Sequence, residues 1–259
     1  MLANNNKAII NKLAKNSVKT NKKQYAILFF TIILSAFMLF CVFTIGMTYL
    51  DSSRLQNTRL NGAEYDIATM NGFTSEQLNT LRQNEHIRSV GMESYAGFIQ
   101  STEYDETVEV GLLWCDEVFW DNLMSPARTK LDGHYPQNKN ELMVTKDILK
   151  TCGNENLSVG DSLILTYENN TGVYTDEFII SGIWDGYGDT SAGFVSKAFY
   201  DETGYDLKND GILCIKLNRN YVFPATIQSI EKSLDFSDRQ IFAPTGYIEN
   251  SFKLLLGIC

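Results

Sequence analysis

The sequence lacks charged residues between Gln24 and Leu50, a run of 27 residues in which Phe, Ile and Leu predominate. An α-helix of this length spans about 40 Å, which exceeds the roughly 30 Å hydrocarbon core of a bilayer. A buried core helix this long would show a polar face, and this run has none. A signal peptide has an apolar region of only about 7–15 residues and a small-residue cleavage site, which is missing after Leu50. The run therefore predicts an uncleaved transmembrane helix over residues 25–50.

Acidic residues are absent before Asp51. The basic residues of that segment are six lysines: Lys7, Lys12, Lys15, Lys19, Lys22 and Lys23. A lysine excess on one side of a span predicts that residues 1–24 are cytoplasmic and that the chain after Leu50 lies outside the cell. The spacing of Ile9, Ile10 and Leu13 is consistent with a short amphipathic helix on the inner membrane surface. A disordered, lysine-rich segment fits the same composition.

The predicted span divides the charge of the chain unevenly. All 31 acidic residues and 16 of the 22 basic residues follow it, so residues 51–259 carry a formal charge of −15. A field of this sign repels nucleic acid and favours a cationic peptide or another extracellular protein as a partner. Acidic composition also keeps secreted domains soluble, and that reason is sufficient by itself.

Motifs for catalysis are also missing. The sequence has no G-x-x-x-x-G-K-[ST], so it cannot hold ATP in a P-loop by itself, and it has no G-x-S-x-G or H-E-x-x-H. Asp185 and Asp189 lie in a glycine-rich loop that could bind a hard cation, but such hairpin tips are commonly just turns. We therefore predict no catalytic, cofactor-binding or metal-binding residues and no cofactor, and we expect that the chain is not an enzyme.

Five cysteines are present, and two of them, Cys41 and Cys259, lie in apolar runs. The other three, Cys115, Cys152 and Cys214, follow the predicted span with no metal-like spacing. Three is an odd number, so at least one of these thiols has no partner among them. A bridge between Cys115 and Cys152 is one option, and three reduced or buried thiols are the other.

Proline and glycine are absent between Asp51 and Asn61. The transmembrane helix can therefore continue through residues 51–61 as an extracellular stalk that ends at Gly62. A flexible linker is the alternative, but linkers usually carry Gly, Ser or Pro more densely.

Two stretches after the stalk show the same order of strand, helix and strand. In the first, Tyr65–Met70 alternates, Thr74 and Gln77 form a capping box, and Ile87–Met92 returns as a strand. The second consists of a strand at Ile212–Leu217, a helix starting at Pro224 and a strand at Gln240–Ala243. Two β-α-β units around a central segment suggest an internal repeat with an insertion.

The central segment reads as mostly β. Its predicted elements are strands at Ala96–Ser101 and Thr107–Cys115, a short helix at Asp116–Met124, a hairpin of Ser162–Glu168 with Thr175–Trp184, a loop at Asp185–Asp189 and a short strand at Phe194–Ser196. The predicted fold is therefore α+β: one long transmembrane and stalk helix, then an extracellular domain in which two β-α-β units bracket a mostly β insertion.

Three motifs of the central segment carry a resemblance to a known family. They are Leu131-Asp-Gly-His-Tyr-Pro136, Asn140-Glu-Leu-Met-Val-Thr145 and Leu157-Ser-Val-Gly-Asp-Ser-Leu163. Together they resemble the extracytoplasmic core domain of the MacB/FtsX-like ABC transporter permeases. In that family a Gly-x-x-Pro turn precedes an Asn-Glu strand start, and a Val-Gly-Asp turn leads into a hairpin. The lysine-rich start resembles the family's lead-in to its first helix but is poorer in arginine, and the outer domain is short.

This resemblance implies a four-span permease with its outer domain, residues 62–248, between the first and second spans. Residues 249–259 would then approach the second span, and the sequence would be an N-terminal fragment. The implied partners are a separate ABC ATPase subunit, a second permease copy or homologue, and the lipid membrane. The implied cargo is a peptide or lipid-like molecule, or none if the domain activates a cell-wall hydrolase as FtsX-like proteins do. The ligand-binding part of a two-span receptor has the same topology and is the alternative.

Overall fold

The structure is a computed structural model, and it describes residues 7–100, 110–187, 192–218 and 224–245. The chain divides into two compact units, Met1–Ser52 and Ser53–Cys259. The predicted approach to a second span at residues 249–259 lies outside the described residues. The first unit is helical, and the second contains a mixed α/β sheet domain.

The first unit contains helix α1 (Lys7–Thr20) and most of helix α2 (Lys22–Leu60). α2 is 39 residues long, and its apolar side chains are exposed, as Phe43 at 70% and Phe30 at 68% illustrate. Among the described residues, α2 is the one helix whose length and composition suit a membrane span. An apolar surface of this extent requires an apolar solvent or a partner.

The last eight residues of α2 belong to the second unit. The helix continues beyond the apolar run through the predicted stalk and ends at Leu60, one residue before the predicted Asn61. Gly62 has φ = 69°, a left-handed conformation that residues with a side chain rarely adopt. The chain then turns into the sheet domain.

In the described part of the chain, ten strands form one sheet. They are β1 (Ile67–Met70), β2 (Ile87–Ile99), β3 (Val110–Cys115), β4 (Arg128–Gly133), β5 (Glu141–Thr145), β6 (Ser162–Asn169), β7 (Gly172–Gly186), β8 (Ala192–Val195), β9 (Ile212–Leu217) and β10 (Ile241–Pro244). The remaining helices are α3 (Ser75–Gln83), a π-helix (Val118–Leu123), a 3₁₀-helix (Ser125–Ala127), α4 (Lys146–Thr151), α5 (Lys197–Tyr200) and α6 (Pro224–Ser233). The strand order is β10-β1-β9-β2-β3-β8-β5-β7-β4, and β6 pairs with β2 and β7.

The two predicted β-α-β units, β1-α3-β2 and β9-α6-β10, interlock instead of lying side by side. β9 lies between β1 and β2, and β1 lies between β10 and β9, with antiparallel pairing throughout. This order, 4-1-3-2 counted over the four strands, is that of a ferredoxin-like βαββαβ unit. The capping box of α3 is confirmed: Thr74 Oγ1 accepts from Gln77 N at 3.1 Å, and Thr74 N donates to Gln77 Oε1 at 2.9 Å. One apolar core, which includes Leu81, Ile215 and Ile230, holds both helices on this sheet.

The central segment is inserted between β2 and β9 and extends the same sheet. Two of its strand pairs are parallel, β3 with β8 and β5 with β7, while β6 and β7 form the predicted hairpin. The separate strands predicted at Ile87–Met92 and Ala96–Ser101 are instead the single strand β2. β2 continues through a bulge between Tyr95 and Gly97 in its pairing with β3, and at Gly97 (φ = 153°) a Cβ would lie 2.7 Å from the carbonyl oxygen of Glu168.

Two other predictions for the central segment need correction. The predicted loop at 185–189 is wrong for its first two residues, because β7 runs to Gly186 and Asp185 pairs with Lys130 of β4. Asp189 lies outside the described residues. The predicted helix at 116–124 is a six-residue π-helix, in which Met124 N bonds to Phe119 O at 2.8 Å.

Candidate functional site: the junction between the long helix and the sheet

The end of α2 is tied to the sheet by an ion-paired triad. Glu64, four residues past the helix, accepts from the Arg54 guanidinium with one carboxylate oxygen and from the Lys216 ammonium with the other. Arg54 belongs to the last turns of α2, and Lys216 lies on β9, so one carboxylate joins the helix to a central strand. The side chains are mostly buried, at 17% exposure for Arg54, 20% for Glu64 and 9% for Lys216. We call Arg54, Glu64 and Lys216 the junction triad.

The electrostatics of the triad favour a charged Glu64. Burial by itself would raise the pKa of this carboxyl, but the hydrogen bond from Lys216 and the positive charges of Arg54, Lys216 and Arg88 hold it below its ordinary value of 4.5. Glu64 is therefore ionised at neutral pH, and the two cations are compensated.

Asp66 extends the same network beneath the triad. Its side chain is 5% exposed, and its Oδ2 accepts from Leu217 N at 2.7 Å, while its backbone N–H donates to Ile215 O at 2.8 Å. Burial raises the pKa of Asp66 above its ordinary value, although the bond from Leu217 and the charge of Arg54 oppose that rise. The first residues after the helix are thus bonded to β9 by side chain and backbone alike.

A second contact holds the last turn of α2. The Arg59 guanidinium lies over the Tyr187 ring, 4.2 Å from its centroid, at the end of β7. Between Arg54 and Arg59, Thr58 is buried at 3% exposure and donates to Arg54 O at 3.0 Å. The end of α2 therefore contacts β9 on one side and β7 on the other.

The π-helix packs against the same junction. Glu64 N donates to Leu123 O at 2.7 Å, and Asp116 Oδ1 accepts from both Met92 N (2.9 Å) and Phe119 N (2.8 Å). Gly91 of β2 permits the close approach, since a Cβ there would lie 2.8 Å from atoms of Phe119 and Leu123. The junction thus connects α2, the ferredoxin-like strands and the central segment through the roughly ten residues of chain from Arg54 to Glu64.

Replacing Glu64 by glutamine is expected to destabilise the second unit by about 3 kcal/mol at pH 7, because it leaves the buried Lys216 without a full counter-charge. Equilibrium urea unfolding of the complete chain in detergent, followed by tryptophan fluorescence, measures this loss. The matched control is Glu202→Gln, which removes one partner of the exposed pair Lys139–Glu202 and is expected to cost at most about 1 kcal/mol.

The pH dependence of the same comparison follows from the lowered pKa of Glu64. A depressed carboxyl pKa contributes stability that is complete above the unfolded value of 4.5 and is lost as pH falls through the folded value. The difference between wild type and Glu64→Gln should therefore stay constant from pH 7 to about pH 5 and shrink below pH 4.5. Two outcomes would contradict a charge-based junction. One is an equal loss of stability in Glu64→Gln and in the control Glu202→Gln. The other is a stability difference between wild type and Glu64→Gln that is undiminished at pH 3.

The structure also locates the residues that the sequence analysis named. The four cysteines in the described residues, Cys41, Cys115, Cys152 and Cys214, are free thiols, so Cys115 and Cys152 are not bridged. Burial raises the pKa of the Cys115 and Cys214 thiols well above the ordinary value, which makes them poor nucleophiles. No group of three or more His, Cys, Asp or Glu side chains in the described part of the chain could hold a metal ion.

The junction triad itself was missed by sequence reasoning. One signal was available: Lys216 is the one charged residue within the apolar strand Ile212–Leu217, where it is buried. A buried lysine requires a counter-charge. The sequence does not show which of the 31 acidic residues supplies it.

The motifs behind the family resemblance occupy the turns that they predict. Gly133 has φ = 88°, and a Cβ there would lie 2.2 Å from Ser181 O. Glu141 opens β5 and accepts from Gln137 N at 2.7 Å, while Asp161 Oδ2 accepts from Ser158 N at 2.8 Å next to Gly160 (φ = 95°). The backbone conformation or hydrogen bonding of each turn thus accounts for the amino acid found at these positions.

Several solved structures are similar to this chain. The periplasmic region of MacB from Actinobacillus actinomycetemcomitans aligns with 75% of this chain and 95% of its own, at 14% identity and a TM-score of 0.48. The chain is similar to MacB-type extracytoplasmic domains. The extracellular domain of the noncanonic ABC-type transporter YknZ from Gram-positive bacteria aligns with 69% and 98%, at 10% identity and 0.44. A domain of a permease protein from Porphyromonas gingivalis aligns with 75% and 96%, at 9% identity and 0.41.

Other comparisons found nothing: no protein-family model and no curated protein matches the sequence. The three TM-scores are below 0.5 and the three identities are below 25%. The alignments therefore report a similarity only, and the chain's own residues must support any assignment of function.

Proposed function

We propose that this chain belongs to a permease subunit of a MacB/FtsX-like ABC transporter. Residues 1–24 would lie in the cytoplasm, residues 25–50 would cross the membrane, and residues 51–61 would form the stalk of an extracellular domain over residues 62–248. The outer domain moves when a partner ATPase drives the inner ends of the helices.

One observation carries this proposal: a single helix, Lys22–Leu60, contains both the apolar run and the ion-paired Arg54 of the junction triad. A flexible tether would need neither a continuous helix nor buried pairs at its outer end. A helix transmits displacement along its axis because its backbone hydrogen bonds run in that direction. The triad and the Arg59–Tyr187 contact then pass that displacement to β9 and β7.

ATP hydrolysis would be carried out by a separate subunit, as the family resemblance implies. The 259 residues contain no P-loop motif. The permease would act with that ATPase subunit and with a second permease copy or homologue. The transported cargo would be a peptide or a lipid-like molecule. If there is no cargo, the outer domain would instead activate a cell-wall hydrolase mechanically. This chain contributes movement, not bond breaking.

Affinity purification of the tagged full-length protein from its own cell membrane tests this assignment. We expect a nucleotide-binding subunit with a P-loop to co-purify, and its ATPase rate to depend on the permease. Recovery of the full-length protein with a signalling kinase and without such a subunit would instead support the two-span receptor.

A further inference from the structure

Two adjoining cavities on the outer domain form one open groove. Their volumes are about 190 and 270 Å³, and both are lined by Lys139, Asp176 and Phe199. The groove lies between the β6–β7 hairpin, helix α5 and the turn before β5. We call it the hairpin groove.

The floor of the hairpin groove is aromatic. The rings of Tyr167 and Phe199 lie 5.4 Å apart, and those of Phe178 and Phe199 lie 5.5 Å apart; all three side chains are buried. Tyr174 packs 5.9 Å from Tyr167 and is 41% exposed, so part of its ring is open to a ligand. Aromatic faces of this kind attract cations through their quadrupole.

Carboxylates also line the hairpin groove. Asp176 Oδ2 accepts from the Tyr167 hydroxyl at 2.6 Å, and Glu202 accepts from the Lys139 ammonium at 2.5 Å. Burial and the hydrogen bond to Asp176 raise the pKa of Tyr167, and the charge of Glu202 adds to that rise. Glu177 adds a third acidic side chain to the lining.

We infer that the hairpin groove docks an arginine side chain of a cationic extracellular peptide, between Asp176 and Glu202 and against the ring of Tyr174. The charge is complementary, since three carboxylates face a single lysine. That lysine, Lys139, already places an ammonium against Glu202, and its side chain is 57% exposed, so an incoming cation displaces it at little cost. A guanidinium binds carboxylates through two parallel N–H bonds and stacks on aromatic rings, which an ammonium does not.

This inference names a more specific class of partner for the proposed function. It rests on that function only for the location of the outer domain outside the cell. It requires neither an ATPase nor a rigid stalk. A failure of peptide binding and a failure of force transmission are therefore separate experimental results.

The experiment uses the complete chain in nanodiscs of zwitterionic phosphatidylcholine and fluorescein-labelled hexa-arginine as the probe. Asp176→Asn combined with Glu202→Gln should weaken binding about tenfold in fluorescence anisotropy, because two charge-assisted contacts are lost. The matched control, Glu155→Gln with Asp238→Asn, removes the same charge from two exposed acids outside the groove lining and should change affinity less than about twofold.

Two further measurements make the inference specific. Lys139→Met frees Glu202 and should strengthen hexa-arginine binding, and hexa-lysine should bind the wild type more weakly than hexa-arginine. Equal weakening by both double variants would show that the general negative field binds the peptide and would overturn the groove. Absence of hexa-arginine binding to the wild type, or unchanged affinity in the groove variant, would overturn it as well.

Discussion

Inserting two glycines after Asn57 is expected to uncouple the outer domain from the membrane helix. The insertion rotates the preceding helix by about 200° and lengthens it by about 3 Å, so Arg54 loses Glu64 while Arg59 keeps its place over Tyr187. The glycines also cost about 2 kcal/mol of helix propensity, roughly a thirtyfold loss in helical population. In the complete transporter we expect transport or hydrolase activation to fall at least about tenfold, with membrane insertion and ATPase association unchanged.

Two control insertions separate the causes of that loss. Two alanines after Asn57 shift the register equally but preserve the helix. If this variant is more active than the glycine variant, that difference measures the effect of helix stiffness. Its remaining deficit relative to the wild type measures the effect of register. Two glycines after Glu155, in the exposed turn between α4 and β6 and outside the hairpin groove, test general tolerance and should leave activity near normal. Full activity with glycines after Asn57 would exclude transmission through this helix.

The second large effect concerns orientation in the membrane. An alkaline phosphatase fused after Asn61 should be active, and a green fluorescent protein fused there should be dark after Sec-dependent export, because the lysine-rich segment stays in the cytoplasm. Replacing all six lysines before the span with glutamate should weaken or scramble this orientation. A fully cytoplasmic signal from the unaltered chain would overturn the topology and with it the extracellular domain.

A matched variant separates positive charge from net charge. The same segment contains six asparagines: Asn4, Asn5, Asn6, Asn11, Asn16 and Asn21. Replacing these with glutamate keeps every lysine and brings the formal charge of the segment's side chains to zero. Since acidic residues contribute little to orientation, phosphatase activity should remain near that of the unaltered chain.

Several elements were readable from the sequence because their causes are local. The absence of charge between Gln24 and Leu50 and of proline or glycine before Gly62 predicts a helix that runs past the apolar segment, and α2 ends at Leu60. Thr74 and Gln77 cap α3 through atoms only three residues apart. The turn at residues 169–172 likewise joins neighbouring strands β6 and β7. Each signal lies within one element or one turn.

Some local interpretations failed where a distant strand determined the backbone. Gly97 read as part of a new strand, but β2 continues through it, with a bulge between Tyr95 and Gly97 in the pairing with β3. Asp185 read as a loop residue, but pairing with β4 keeps it in β7. Lys130, the partner of Asp185, lies more than fifty residues away in the sequence, and hydrogen bonding between the two strands overrides the local preference for a turn.

The sequence by itself determined the long apolar helix, its continuation and the type of most other elements, since apolar composition, capping and turn chemistry act over a few residues. Only the tertiary structure decided that the two β-α-β units interlock, with β9 between β1 and β2, and that Lys216 meets Glu64 across 152 positions. It likewise placed Asp176 and Glu202 on one groove. Such contacts form because burying a shared core brings distant segments together, and the charge of a residue does not encode which partner the fold will place beside it.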